Sequence, residues 1–440
     1  MTRTSERVLR ARPGLLMLLI LTGALAFAMG GCGEGRPDTK VVIIGIDGLE
    51  WQLVDPLLEE GKLPNLAGVI ERGVRADLLS LEPEQKSPIV WTTIATGKGP
   101  QKHGITDYLD DTDEQPLINS LGWRARSVWD ILGEKGYSVG VINWLVTWPA
   151  YEVNGYLVTD RIGYAPEDGH DPIPRVTHPD ELVEELAPYR KPYSHTTDEE
   201  IAPFMDGDAW KSEHGTGTPE WNGAETVRTF YAQDHTALNV AKHLLESREQ
   251  PDFLAVYVLG VDRCCHAFWG QMRPWTVNIH MSEQFIDTFD ETILRYYEHM
   301  DEILGELLAA LDEDSTVIVC SDHGFRGPHR TKEGTKLGIA MHRNVGVLAA
   351  EGPGIRRGVE GVDASVFDIT PTVLELFGEP VGRDMDGFVL SSILEQEHLE
   401  ENPVGYVDTY ETGERGSSEP VESPVDEEIK EQLRSLGYIE

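Results

Sequence analysis

Apolar and polar positions fall into two alternating patterns along most of the chain. Residues 40–46 (KVVIIGI), 253–261 (FLAVYVLGV) and 316–321 (TVIVCS) are nearly unbroken apolar runs of strand length. Such runs mark strands buried on both faces, as in parallel sheets. Residues 73–79 and 137–143 (YSVGVIN) predict two more strands. Residues 65–72, 88–96, 127–135, 224–246, 282–311 and 367–377 have helical spacing, and Pro88 sits in the first turn of its helix. Strands alternating with helices predict an α/β fold: a doubly wound, mostly parallel central sheet flanked by helices.

Three stretches break the rhythm. Residues 162–220 are rich in Pro, His, Asp and Glu, with one clear helix at 180–186. They read as an insertion that caps the sheet edge. Residues 395–440 begin as an acidic loop and end in a short amphipathic helix at 426–436, followed by Gly437 and Tyr438. This tail is either a solvated linker or a strap that docks Leu433, Leu436 and Tyr438 on the body. At the other end, Arg3, Arg7, Arg10 and Arg12 precede an apolar run at 15–29. That run is short for a membrane span of about 20 residues. It closes on Met29-Gly30-Gly31-Cys32, which resembles a bacterial lipobox. Residues 1–31 are then a leader, Cys32 carries a lipid anchor to the membrane, 32–39 is a linker and 40–394 the catalytic domain. An ordinary cleaved signal or an uncleaved anchor are the alternatives. All three place the protein outside the cytoplasm, in the bacterial cell envelope, periplasmic or on the outer surface.

Composition narrows the partners. Asp and Glu number 76 against 37 Lys and Arg, a formal net charge of −39. Phosphate backbones are bound by Lys and Arg, so a nucleic-acid polymer is excluded. After Cys32 only Cys264, Cys265 and Cys320 remain, too few for a disulfide framework.

The candidate chemistry sits where the apolar runs end. The first runs into Asp47, the second into Asp262 and His266, the third into Asp322 and His323. In an open parallel sheet, ligands bind beyond the carboxyl ends of the strands. Carboxylates and imidazoles gathered there call for cations. Ser87 stands immediately before the helix at 88–96, where free backbone N–H groups can receive a phosphate oxygen. A plain N-cap is the simpler role for an isolated Ser.

The order of these residues carries a resemblance. Asp47, then S-P-x-x-W-T-T-x-A-T-G from Ser87, P-x-x-H-G-I from Pro100, Asp262-x-x-x-His266, Asp322-His323-Gly324 and a later His resemble the alkaline phosphatase superfamily. The likeness is strongest to its type I phosphodiesterase and nucleotide pyrophosphatase branch, over nearly all of 40–394. Asp384-Met385-Asp386-Gly387 and the terminal Leu436-Gly437-Tyr438 are similar to exported bacterial members. The resemblance implies two adjacent divalent ions, usually zinc. Asp47, Asp322, His323 and the Ser87 oxygen would hold the first, and Asp262, His266 and His342 the second. It also implies that Ser87 attacks phosphorus in a small phosphate ester and that water hydrolyses the phosphoseryl intermediate. Transfer of the group to an alcohol, or a non-catalytic surface binding protein on the same fold, are the competing readings. The pattern departs at H-G-I-x-x-N, where Tyr108 follows Thr106-Asp107 and the Asn is missing, and in having Ser in place of the usual Thr. Tyr108 is a substitute hydroxyl donor or a core residue. Arg161 is the candidate phosphate contact, with Asn143 and Trp144 beside it at the pocket edge. His103 and Asp386 read as structural. His329 and Arg330 face substrate or sit in an exposed loop. Trp221, Trp269 and Trp275 line the cap or simply pack. A sulfatase would need C/S-x-P-x-R, and Ser87-Pro88-Ile89-Val90-Trp91 does not match it.

Overall fold

Alternation inside the first strand sets the layers. In β1 (Val41–Ile46) every residue is buried. Val42, Ile44 and Ile46 point into one apolar cluster, and Val41 and Ile43 into another on the opposite face. The computed structural model describes residues 39–83, 86–112, 114–164, 172–211, 217–218, 221–276, 281–327, 341–412 and 421–439. The expected leader, Cys32, and the His329–Arg330 pair lie outside the described residues.

Around β1 the sheet is built from β2 (Val74–Leu79), β3 (Val139–Ile142), β4 (Gly155–Val158), β5 (Thr177–His178), β6 (Phe253–Val258), β7 (Thr316–Cys320), β8 (Val345–Glu351) and β9 (Val359–Ser365). Their order is β9-β2-β8-β7-β1-β6-β3-β4-β5. β1 pairs in parallel with both β6 and β7, setting Ile46 beside Val258 and Gly45 beside Cys320. The strand ends that carry the expected ligands therefore lie side by side. β8 and the edge strand β5 run antiparallel to their neighbours. The mostly parallel, doubly wound sheet is as expected.

One face is covered by α1 (Trp51–Glu59), α2 (Pro64–Arg72), α5 (Gly223–Ser247), α6 (Gly260–Met272), α7 (Thr292–Ala310) and α9 (Asp426–Leu436). The other is covered by α3 (Ser87–Thr96), α4 (Val128–Glu134) and α8 (Ile369–Leu376). Among the described residues no helix is long and apolar enough to cross a membrane. Cys264, Cys265 and Cys320 are free and buried.

Some boundaries differ from the sequence reading, for visible reasons. The apolar run 253–261 is not all strand: β6 ends at Val258 and α6 begins at Gly260. The Asp234 carboxylate, from α5, accepts the amides of Leu259 and Gly260 at 3.1 Å each and starts the helix. A Cβ at Gly260 would lie 2.1 Å from Asp234 Oδ2, so the approach needs glycine. The run 282–311 divides into Glu283–Phe289 and α7. At the break the Thr292 hydroxyl donates to the Phe204 carbonyl at 2.7 Å, and the Asp206 amide donates to the Thr288 carbonyl at 3.0 Å. The insertion thus anchors the break, and its segment β5 lengthens the sheet. The tail is a strap: Ile429, Leu433, Leu436 and Tyr438 are buried in the larger core cluster.

His103 is structural in geometry. Its Nδ1 accepts the Ile105 amide at 3.1 Å, which leaves Nε2–H to donate to the Thr93 hydroxyl at 3.1 Å. Burial pushes its pKa down from 6.5 to about 3. The neutral ring contributes fully above the unfolded pKa near 6.5, and its contribution is lost as pH falls below that value. The stability difference between the native chain and His103→Gln, from denaturant midpoints, is expected to be constant above pH 7. It should shrink by about 1.4 kcal/mol per pH unit from pH 6 to 4. Gly260→Ala is expected to cost about 1–3 kcal/mol in the same assay, through overpacking against Asp234.

Candidate metal centre

The parallel register brings Asp47, Asp262 and Asp322 to one edge, each buried, with His323 and His342 also buried. Asp47 follows β1, and Asp322 and His323 follow β7. Asp262 and His266 stand one turn apart on α6, so a helix rather than a strand end presents them. His342 comes from the short antiparallel pair Gly324–Arg326 and Met341–Arg343, in which it faces Phe325. Glu50 holds that pair to the start of α1. Its carboxylate accepts the Phe325 amide at 3.0 Å and pairs with Arg343 at 2.7 Å. Gly48 has φ +75°, and a Cβ there would meet the Phe325 ring at 2.7 Å and Asp262 Cα at 2.8 Å. The turn after β1 is tight because the site closes directly over it.

Each carboxylate is anchored by one oxygen. Asp47 Oδ2 accepts from the Trp91 indole at 3.1 Å and from the Tyr257 hydroxyl. Asp262 Oδ2 accepts from the Tyr438 hydroxyl. Asp322 Oδ1 is 3.4 Å from the Gly48 amide. The other oxygens face the imidazoles. Asp47 Oδ1, Asp262 Oδ1 and Asp322 Oδ2 lie 3.3, 3.5 and 3.5 Å from His323 Nε2. Asp262 Oδ1 is also 3.4 Å from His266 Nε2 and 3.6 Å from His342 Nε2. The His323 Nδ1–H is held by the Gly324 carbonyl at 3.1 Å, so Nε2 is the nitrogen that faces the carboxylates and that an ion would take in place of its proton. His266 Nε2 and His342 Nε2 are 2.9 Å apart.

Two trios emerge, Asp47–Asp262–His323 and Asp262–His266–His342. Asp262 belongs to both, whereas the sequence reading gave it to the second alone. Asp322 stands beside the first trio. Ser87 Oγ is 3.4 Å from both Asp47 Oδ1 and His323 Nε2. Ser87 is the first residue of α3, and Lys86 occupies the cap position without a side-chain cap bond. A plain N-cap is therefore not the role of the Ser87 hydroxyl, which points into the cluster.

Electrostatics shows what the cluster needs. Burial and the neighbouring Asp47 charge push Asp322 well above the usual carboxylate range. Burial opposes the charged form of His323, yet Asp322, Asp47 and Asp262 raise its pKa to about 10. Burial also opposes ionisation of Asp47, but His323 holds its pKa below the usual value. Asp262 Oδ1, Asp322 Oδ2 and His266 Nδ1 are buried with no hydrogen-bond partner among the described residues. Surplus buried carboxylate charge beside orphaned oxygen and imidazole donors fits divalent cations of the zinc type.

A cavity of about 80 Å³ opens beside Asp47 and Asp262, lined by Tyr108, Asn143, Arg161 and Tyr438 among others. Both expected substrate contacts are there. Burial and the charges of Asp262 and Asp47 raise the Tyr108 phenol well above its usual range, partly offset by Arg263 and by a hydrogen bond with Ser87. Arg161 is not free: it pairs with Asp426 of α9 at 3.0 Å. Trp144 is core, Trp269 is buried and Trp275 is 79% exposed. The Asp386 carboxylate caps the Gly99 amide at 2.9 Å and pairs with Lys102, a structural role. Sequence reasoning missed Trp91, Tyr257 and Glu50 as anchors. For Tyr257 the one available signal was a lone phenol inside an apolar strand.

The chain has several relatives. A sulfatase of Metarhizium majus (strain ARSEF 297) is 31% identical over 126 residues, 27% of this chain and 30% of that protein. The chain thus matches under a third of the length of this curated relative. A putative sulfatase structure from Bacteroides thetaiotaomicron has TM-score 0.49 at 12% identity, covering 85% of this chain and 76% of the other. Human ectonucleotide pyrophosphatase/phosphodiesterase 5 has TM-score 0.46 at 11% identity, covering 81% and 100%. The family model for type I phosphodiesterase/nucleotide pyrophosphatase matches residues 41–341, which include every metal-facing residue named above except His342. The chain belongs to the type I phosphodiesterase/nucleotide pyrophosphatase family.

Proposed function

We propose that the chain is a two-metal hydrolase of phosphoric esters that acts through a phosphoserine at Ser87. The observation that carries this reading is the Ser87 hydroxyl, 3.4 Å from both Asp47 Oδ1 and His323 Nε2, with Asp47 and the adjoining Pro88 lining a cavity. Asp47, Asp322, His323 and Ser87 would hold one divalent ion and Asp262, His266 and His342 the other, with Asp262 near enough to serve both. Bound there, the ions supply Lewis-acid charge that lowers the serine pKa and neutralises the phosphoryl oxygens.

The residues of the chain do the rest. Ser87 stands at the N-terminus of α3, where the positive end of the helix dipole favours the phosphoryl group. Ser87 Oγ forms a bond to phosphorus as the bond to the alcohol oxygen breaks, and the proton given up by Ser87 ends, by way of solvent, on the departing alcohol. Water then cleaves the phosphoserine, returning the Ser87 hydroxyl and releasing phosphate or, from a diester, its monoester. Tyr108 donates a hydrogen bond to a phosphoryl oxygen where related enzymes carry Asn. The envelope placement and the lipid at Cys32 rest on residues 1–32 alone.

The relatives named as sulfatases make a sulfate ester the natural control substrate. Against it stands Ser87-Pro88-Ile89-Val90-Trp91, which lacks the C/S-x-P-x-R pattern.

Replacing Ser87 by Ala is expected to reduce turnover of aryl phosphate mono- and diesters to background while bound zinc per chain stays within about one ion of the native value. Full activity in that variant would end the covalent reading. His342→Ala is expected to lower the metal content by about one ion per chain, read by elemental analysis after dialysis, because three protein ligands become two. Tyr108→Phe should lower kcat/KM by about 10–100-fold with the metal content unchanged, as for loss of one transition-state donor.

A further inference from the structure

The pocket beside Ser87 is walled by the last residues of the chain. Ile429, Leu433 and Tyr438 line the same cavity as Asp47, Tyr108 and Arg161. The Tyr438 ring packs 4.6 Å from His266 and 5.2 Å from Tyr108, and its hydroxyl donates to Asp262. The wall is tied at its start and along its length. Arg161 pairs with Asp426 at 3.0 Å, and Arg263 donates to Gln432 at 3.2 Å. Gly437 at φ +83° turns the chain so that the Tyr438 amide returns to the Leu433 carbonyl at 2.9 Å.

What remains beside the catalytic serine is small. The cavity holds about 80 Å³. Sites for drug-sized ligands run to about 300–1,000 Å³. A larger space of about 520 Å³ lies beyond Tyr164, which lines both cavities. The Arg263 guanidinium donates to the Tyr164 hydroxyl at 2.7 Å and holds this partition. Away from Asp47 and Asp262 the small cavity has an aliphatic lining: Leu117, Ile118, Leu145, Val146 and Leu259 join Ile429 and Leu433, alongside tyrosines and Asn143. Its two guanidiniums, Arg161 and Arg263, are engaged as described.

We infer that the C-terminal segment, through Ile429, Leu433 and Tyr438, sets substrate specificity by restricting the alcohol of the ester to a few apolar carbons and excluding nucleosides. The inference rests on the phosphoric ester hydrolase reading and adds the substrate class. It assigns the selection to a segment distant in sequence from every metal ligand.

The test compares ethyl phosphate and diethyl phosphate with adenosine 5′-monophosphate and its ethyl ester on the zinc-loaded native chain. The native enzyme should prefer the better ethyl compound over its adenosine counterpart by about 100-fold or more in kcat/KM, because the larger group must displace a packed wall. The double variant Ile429→Ala, Leu433→Ala should narrow that ratio by about tenfold or more, as expected when wall volume is removed. Equal turnover of both classes by the native chain overturns the inference and means that the segment moves aside for substrate. If no ester shows Ser87-dependent turnover, the hydrolase reading fails, and the wall is judged by calorimetric binding alone. Ethyl phosphate bound about 100-fold more tightly than adenosine monophosphate then supports it, and equal binding overturns it.

Discussion

Three buried carboxylates cannot share one sheet edge unless their charge is both oriented and balanced. Repulsion between unit charges a few ångströms apart in a poorly polarisable interior runs to several kcal/mol. The fold separates the two tasks. Orientation comes from neutral donors: an indole and a phenol for Asp47, a phenol for Asp262 and a backbone amide for Asp322. None of these donors cancels the negative charge. The remaining oxygens stay directed at the imidazoles, so the balancing positive charge has to come from the ring protons or from cations. An Arg or Lys in place of Trp91 or Tyr257 would have cancelled one of these charges, at Asp47, which both residues anchor without doing so.

That constraint explains features that look unrelated along the chain. The parallel pairing of β1 with β6 and β7 sets the strand ends level, and Gly48 lets the next turn close over them. Asp234 starts α6 early enough to place Asp262 and His266 on one helix face. Glu50 holds the strand pair that carries His342. Each device lies outside the ligand set, yet each fixes where a ligand points.

Much of this was legible in the sequence, and the illegible part has a common cause. Strands buried on both faces leave continuous apolar runs, so β1, β6 and β7 and the ligands after them could be read directly. The boundary at Val258 could not, because Leu259 and Val261 continue the apolar run and the signal that starts α6 is a carboxylate 25 residues away on α5. The anchors Trp91 and Tyr257 were hidden for the same reason: their meaning is a hydrogen bond across the fold, and each also reads as an ordinary aromatic core residue. In the tail, the pattern Ile429, Leu433, Leu436 gave the helix but left the choice between linker and strap open. An amphipathic stripe shows that a face is to be covered and not by what.

The two halves of the centre are not built alike. Asp47, Asp322 and His323 follow central strands and are at most 2% exposed, so their positions are set by the sheet itself. The second trio draws His266 from a helix, His342 from a two-stranded excursion and, through Asp262, a hydroxyl from the end of the chain. Elements held by fewer central contacts open locally at lower free energy. The more rigid half is the one beside Ser87, whose proposed attack on phosphorus would tolerate little misplacement. In the second trio α6 is itself packed in the core, so only the strand pair carrying His342 stands apart from the sheet, while Asp262 and Tyr438 line the pocket. Asp262, common to both trios, ties the two halves together.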